Sequence, residues 1–129
     1  MLKILLIEDD SFVQFSLKKL LECFGHEVMV ANNGKDGLVQ YKKGERDVIL
    51  CDIDMPALDG FQFFEQLKQS NKKLPFFSFI SAYVDTKIIQ KSSELGVDCI
   101  IKKPVDQEIL KVILLAMKRK HMSDYTDIA

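Results

Sequence analysis

The chain has 129 residues, of which 47% are hydrophobic and 29% charged, with a net charge of −1. This length favours one domain that buries its own core, and the balanced charge argues against a globally basic nucleic-acid binder or an acidic disordered tail. No apolar run approaches the ~20 residues that span a bilayer, and Met1–Ile7 leads straight into Glu8-Asp9-Asp10 with no small-residue cleavage site, so a cytoplasmic protein is expected.

In chain order, Lys3–Ile7 is a short apolar run that predicts a first strand. Ser11–Phe24 then places Val13, Leu17, Leu20, Leu21 and Phe24 on one helical face, with Gly25 at its stop. Glu27–Ala31 predicts a second strand, and Gly34–Lys43 a weaker helix carried by Leu38 and Tyr41. Asp47–Cys51 predicts a third strand, and Asp59–Gln69 a helix that gathers Phe61, Phe64 and Leu67. Phe76–Ile80 is the fourth strand, followed by a helix over Asp85–Leu95 that stops at Gly96. Asp98–Lys102 is the fifth, and the last helix, Asp106–Lys120, is acidic at its start and basic at its end, which suits the helix dipole. The expected domain covers 1–120, with 121–129 as a short C-terminal tail. Cys23, Cys51 and Cys99 are odd in number, lack CxxC spacing and read as reduced core thiols.

Five near-continuously apolar strands alternating with helices predict an α/β fold, an open, doubly wound parallel sheet covered on both faces. Ligands of such sheets bind outside the carboxyl ends of the strands. There the first strand delivers Glu8, Asp9 and Asp10, the third Asp52 and Asp54, the fourth Ser81 and the fifth Lys103. Crowded carboxylates need a proton or a cation between them, and oxygen-only ligands select a hard cation such as Mg²⁺. With a lysine and a hydroxyl added, the set suits phosphate handled on a carboxylate. Taken singly, the residues have plainer roles: helix caps for Asp9 and Asp10, turn or cap positions for Asp54 and Asp59, a turn hydroxyl for Ser81, a solvated surface for Lys103. Their convergence on one edge favours the functional reading.

These motifs closely resemble the response-regulator receiver domain of two-component signalling. The resemblance runs from Leu2 to about Lys118 and rests on Ile4–Asp10, Asp47–Pro56 with Asp59-Gly60, Ile80-Ser81-Ala82, Gly96-Val97-Asp98 and Lys103-Pro104. It implies the flavodoxin-like strand order 2-1-3-4-5, for which a member of that family is a standard example. By residue, it implies that Asp52 is the phosphoacceptor for a sensor histidine kinase or histidine phosphotransfer protein. Glu8, Asp9, Asp52 and the backbone carbonyl of Asp54 would hold Mg²⁺. Ser81 would hydrogen-bond the phosphoryl group, Lys103 would pair with its oxygen, and Asp10 would be an outer-sphere or capping residue. The expected result is a phosphorelay switch with only intrinsic autophosphorylation and autodephosphorylation. It would signal to a downstream protein target, and 129 residues leave no room for an output domain.

The sequence departs from the family at Ile100, where an aromatic switch residue is usual, and at Lys102, which precedes Lys103. Switching is then left to Tyr83, beside Ser81, or to the loop itself, while Asp54 and Tyr83 occupy positions that tune phosphoryl lifetime. The last helix is apolar nearly all round, which predicts either deep packing with scattered exposed apolar residues or an interface, with a partner or in a homodimer through the fourth helix, fifth strand and fifth helix. Lys118-Arg119-Lys120-His121 reads as a helix end or linker rather than a nucleic-acid site. Asp52-Ile53-Asp54 also resembles the DxD of haloacid-dehalogenase-like phosphatases, but that family carries it after an early strand. A receiver-like scaffold that is never phosphorylated is opposed by the intact acceptor, acidic pair, Ser81 and Lys103.

Overall fold

Strand and helix alternate through the residues that the computed structural model describes, the backbone of 1–71 and 73–126, with their side chains up to residue 118. The elements are β1 (Lys3–Ile7), α1 (Ser11–Cys23), β2 (Glu27–Ala31), α2 (Gly34–Tyr41), β3 (Val48–Asp52), α3 (Gly60–Ser70), β4 (Phe76–Ser81), α4 (Thr86–Leu95), β5 (Cys99–Lys102) and α5 (Gln107–Thr126). The strands pair in parallel in the order β2-β1-β3-β4-β5, the order implied by the resemblance.

Short polar side chains start the helices. Asp10, Asn33, Asp59 and Asp85 cap α1 to α4, each accepting from backbone N–H groups of the first turn. Asp106 accepts from Ile109 N at the start of α5 in the same way. Such caps contribute about 1 kcal/mol each by satisfying donors that the helix cannot. Gly96 ends α4 at φ 91, a left-handed conformation that disfavours a side chain.

The period-2 geometry of the strands divides the interior into two cores. Leu5, Ile7, Ile49, Cys51, Phe77 and Phe79 face α3, where Phe61, Phe63, Phe64 and Leu67 meet them. Ile4, Leu6, Val48, Leu50 and Ile80 face α1 and α5, against Leu17, Leu21, Leu110, Leu114 and Met117. Rings pack edge-to-face in the first core, with centroids 4.7 Å apart for Phe64–Phe77 and 5.3 Å for Phe77–Phe79. Each such pair adds about 0.5–1.5 kcal/mol beyond its burial.

Element ends differ from expectation by a few residues, and side-chain chemistry explains two of them. Asp98 lies outside β5 because its carboxylate accepts from Phe77 N at 2.9 Å. Asp47 lies outside β3, where its carboxylate accepts from Lys3 N at 2.8 Å. Helical backbone continues to Thr126, into the stretch read as a tail, while 127–129 lie outside the described residues. The cysteines do not all sit in the core: Cys51 is buried, Cys99 half-buried, and Cys23 is exposed at the end of α1.

Candidate functional site

Parallel register decides which residues meet at the carboxyl edge. Ile7 pairs with Cys51, Asp52 with Ile80, and Ser81 with Lys102. The chain therefore leaves four neighbouring strands beside one another, bringing Glu8, Asp52 and Lys103 into contact and ending β4 at Ser81.

Lys103 Nζ lies 2.5 Å from Glu8 Oε1 and 3.2 Å from Asp52 Oδ2. Glu8 is 1% exposed and Asp52 5%. Two buried carboxylates thus share one ammonium, and Glu8 Oε1 has that ion pair but no well-directed hydrogen bond among the described residues. Burial and then the neighbouring Asp52 raise the Glu8 pKa against the pull of Lys103. For Lys103, burial works downward but is outweighed by Glu8 and Asp52, so its pKa rises and it stays charged.

Asp9 points to solvent, yet oxygens of Glu8, Asp9 and Asp52 all lie within 4.8 Å of one another. The group contains no histidine, and burial pushes the Cys51 thiol beneath Asp52 well above its ordinary range. An all-oxygen set with excess negative charge fits a hard divalent cation.

The remaining expected site residues fall into distinct places. Asp10 caps α1, accepting from Phe12 N and Val13 N at 2.9 and 3.0 Å, while its own N donates to Glu8 Oε2 at 3.3 Å. Asp54 is exposed, and its N donates to Asp52 Oδ1 at 3.3 Å. Asp59 caps α3 in a reciprocal box with Gln62. Ser81 is fully buried, but its hydroxyl serves its own loop, donating to Tyr83 O at 2.7 Å and accepting from Tyr83 N at 3.2 Å. The turn role of Ser81 is therefore the one on display. Ile100 is half-buried and packs into the core that contains Phe77 and Phe79.

Between Asp52 and α3 the chain turns tightly. Leu58 N donates to Pro56 O at 2.8 Å across Ala57, which has φ 69. This is a three-residue turn of the rare positive-φ kind, a conformation that costs of order 1–3 kcal/mol for a residue with a side chain.

Sequence reasoning missed Gln14. Its side-chain amide donates to Glu8 O at 3.0 Å, to Asn32 Oδ1 at 3.0 Å and to Ala31 O at 3.4 Å. A polar residue one helical turn after the Asp10 cap, on the side of the helix that faces the sheet edge, was the available signal.

The response regulator receiver domain model matches residues 4–115. Protein PilH of Pseudomonas aeruginosa is 34% identical over 115 residues, covering 85% of this chain and 92% of PilH. The transcriptional regulatory protein AfsQ1 of Streptomyces coelicolor is 30% identical over 126 residues, which is 98% of this chain but 55% of AfsQ1. The chain spans only 29% of a cyclic di-GMP phosphodiesterase of Thermotoga maritima and 46% of the transcriptional regulatory protein PcoR of Escherichia coli, two further relatives that it matches. Among solved structures, Vibrio cholerae chemotaxis protein CheY4 superposes with a TM-score of 0.84 at 26% identity, over 91% of this chain and 98% of that one.

Proposed function

The chain belongs to the response-regulator receiver family, whose members are phosphorylated signalling switches, and from that premise we propose that Asp52 accepts a phosphoryl group from a histidine of a sensor kinase or phosphotransfer protein. The observation that carries this reading is the placement of Asp52. It is 5% exposed, at the carboxyl end of the central strand β3, with Lys103 Nζ 3.2 Å away and two further carboxylates beside it.

The chemistry follows from the charges. A carboxylate oxygen of Asp52 forms the new bond to phosphorus as the phosphorus–nitrogen bond of the donor breaks and the imidazole departs with its electron pair. In-line transfer of this kind depends on positioning and charge neutralisation more than on covalent help. Glu8, Asp9, Asp52 and the Asp54 carbonyl would hold Mg²⁺, and when bound it would offset the negative charge of the phosphoryl oxygens. Lys103, already fixed by two carboxylates, keeps its charge and pairs with the incoming oxygens. Ser81 exchanges Tyr83 O for a phosphoryl oxygen, which moves the loop that leads into α4 and biases the binding face. With Ile100 in the core, that movement passes through the Ser81–Tyr83 loop.

The same reading assigns a cytoplasmic setting, a protein target downstream and no direct nucleic-acid contact. Among the described residues no helix is long and apolar enough to cross a membrane. Ile89 of α4 and Ile109, Val112 and Leu115 of α5 are 53–66% exposed. These apolar groups support a homodimer or target interface through α4, β5 and α5.

Incubation with acetyl phosphate and Mg²⁺, followed by intact-mass analysis, tests the reading. It should add one phosphoryl group, removable by hydroxylamine as an acyl phosphate is, and an excess of chelator should prevent the addition. A label that forms equally well under chelation, or that survives hydroxylamine, contradicts the proposal.

A further inference from the structure

We propose that Gln14 is a positioning residue for the acidic pair, setting the direction in which Asp9 leaves β1 and so the affinity of the carboxylate cluster for its cation. The inference rests on the reading of Glu8 and Asp9 as cation ligands.

Asp9 needs such help because it makes no side-chain hydrogen bond or ion pair of its own among the described residues and is exposed. Its position is therefore set by backbone alone. The Glu8 carbonyl oxygen and the Asp9 nitrogen and Cα share one peptide plane. Whatever holds Glu8 O holds the plane, and with it the point from which the Asp9 carboxylate reaches out. The donor to Glu8 O is Gln14 Nε2 at 3.0 Å.

The amide is aimed by more than one oxygen. Glu8 O and Ala31 O are main-chain carbonyls that only accept, so the nitrogen of Gln14, not its oxygen, must face them. The two hydrogens on that nitrogen serve the contacts at 3.0 Å to Glu8 O and Asn32 Oδ1, with Ala31 O sharing at 3.4 Å. Ala31 O also accepts from Glu8 N at 3.1 Å, so both polar groups of the Glu8 backbone are tied to the end of β2, one directly and one through Gln14. Asn32 is itself held, its N donating to Asp36 Oδ2 at 3.1 Å. Lys103 and Asp10 N hold the Glu8 carboxylate; Gln14 holds its carbonyl.

Methionine at position 14 keeps the length and packing of the side chain but donates nothing. Gln14→Glu keeps the shape and places a carboxylate opposite three oxygens. Removing outer-sphere hydrogen bonds of this kind typically costs 10–100-fold in metal affinity.

Two readouts on the intact chain test the proposal. In metal-free protein, the Asp9 amide, which lies in the peptide that Gln14 holds, should lose order in Gln14→Met, read as a lower heteronuclear NOE, and at least as much in Gln14→Glu, while the Leu5 amide in mid-strand keeps its order. In Mg²⁺ titrations followed by amide chemical shifts, Gln14→Met should weaken binding about tenfold. Unchanged order at Asp9, or an equal loss at Leu5, overturns the clamp. Loss of order at Asp9 with Mg²⁺ affinity within twofold of the parent overturns its positioning role. If the parent protein fails to bind Mg²⁺, the reading of the site fails, and the metal-free order of Asp9 still decides whether Gln14 clamps the Glu8–Asp9 peptide.

Discussion

Replacing Glu8 by glutamine is expected to stabilise the metal-free fold by about 1–2 kcal/mol at pH 7 and to slow labelling of Asp52 by roughly 100-fold. Folding buries Glu8 and Asp52 against a single ammonium, so the cluster carries one uncompensated negative charge. Burial and Asp52 raise the Glu8 pKa, which means that the folded state holds this proton more tightly than the unfolded chain does. The stability linked to that proton is complete below the unfolded carboxyl range and is lost as pH rises through the raised folded value. Glutamine escapes the penalty above this window and gains nothing below it, so the advantage seen at pH 7 should disappear in acid. The variant keeps the side-chain volume and leaves Lys103 beside Asp52. It lacks a formal charge where the cation is to be held, hence the slower labelling. Urea unfolding at neutral and acidic pH, beside a labelling time course, reads both effects. A destabilised variant at pH 7, or one that labels at the parent rate, contradicts this account of the cluster.

Gly60→Ala should lower stability by roughly 2–3 kcal/mol and impair labelling at the same time. A Cβ at position 60 would lie 2.6 Å from Asp52 O, 2.8 Å from Ile53 Cα and 3.1 Å from the Phe79 ring. The two closest atoms are main chain in and just after β3, which is held by neighbours on both sides and cannot swing away as a flexible side chain does. Gly60 N donates to Ile53 O at 2.9 Å, so α3 cannot retreat without losing that bond. Alanine gains up to about 1 kcal/mol in helix propensity, less than the overlap costs. The strain falls on the backbone of Asp52, the proposed phosphoacceptor, which is why labelling should fall with stability. Unfolding and labelling measured on one preparation decide the matter, and a variant as stable as the parent refutes the close approach.

Fold class was legible because each strand is a short, nearly unbroken apolar run and each helix has an aspartate, asparagine or glycine at an end. Period alone sorted Leu17 and Leu21 inward, but it missed Phe63, which is fully buried, with Phe77 of β4 on one side and the close approach of Gly37 of α2 on another. Glu8, Asp52 and Lys103 could be brought together from their places after strands, since parallel register leaves little freedom there. What individual side chains do at that edge was not legible. The Ser81 hydroxyl bonds within its own turn, and Gln14 reaches the Glu8 carbonyl across a helix–strand packing contact; both depend on atomic positions that residue type does not encode. The exposure of Cys23 was equally hidden, because its place at the last position of α1 decides the matter rather than its apolar neighbours. The last helix gave its hydrophobic residues but not their division, with Leu110, Leu114 and Met117 buried and Ile109, Val112 and Leu115 outside.

The central claim, that Asp52 is the phosphoacceptor, is tested most directly by Asp52→Asn treated with acetyl phosphate and Mg²⁺ beside the parent protein. The parent should gain one hydroxylamine-labile phosphoryl group, and the variant, folded by circular dichroism and urea unfolding, should gain none. A folded Asp52→Asn protein that takes up the phosphoryl group at the parent rate would contradict that claim.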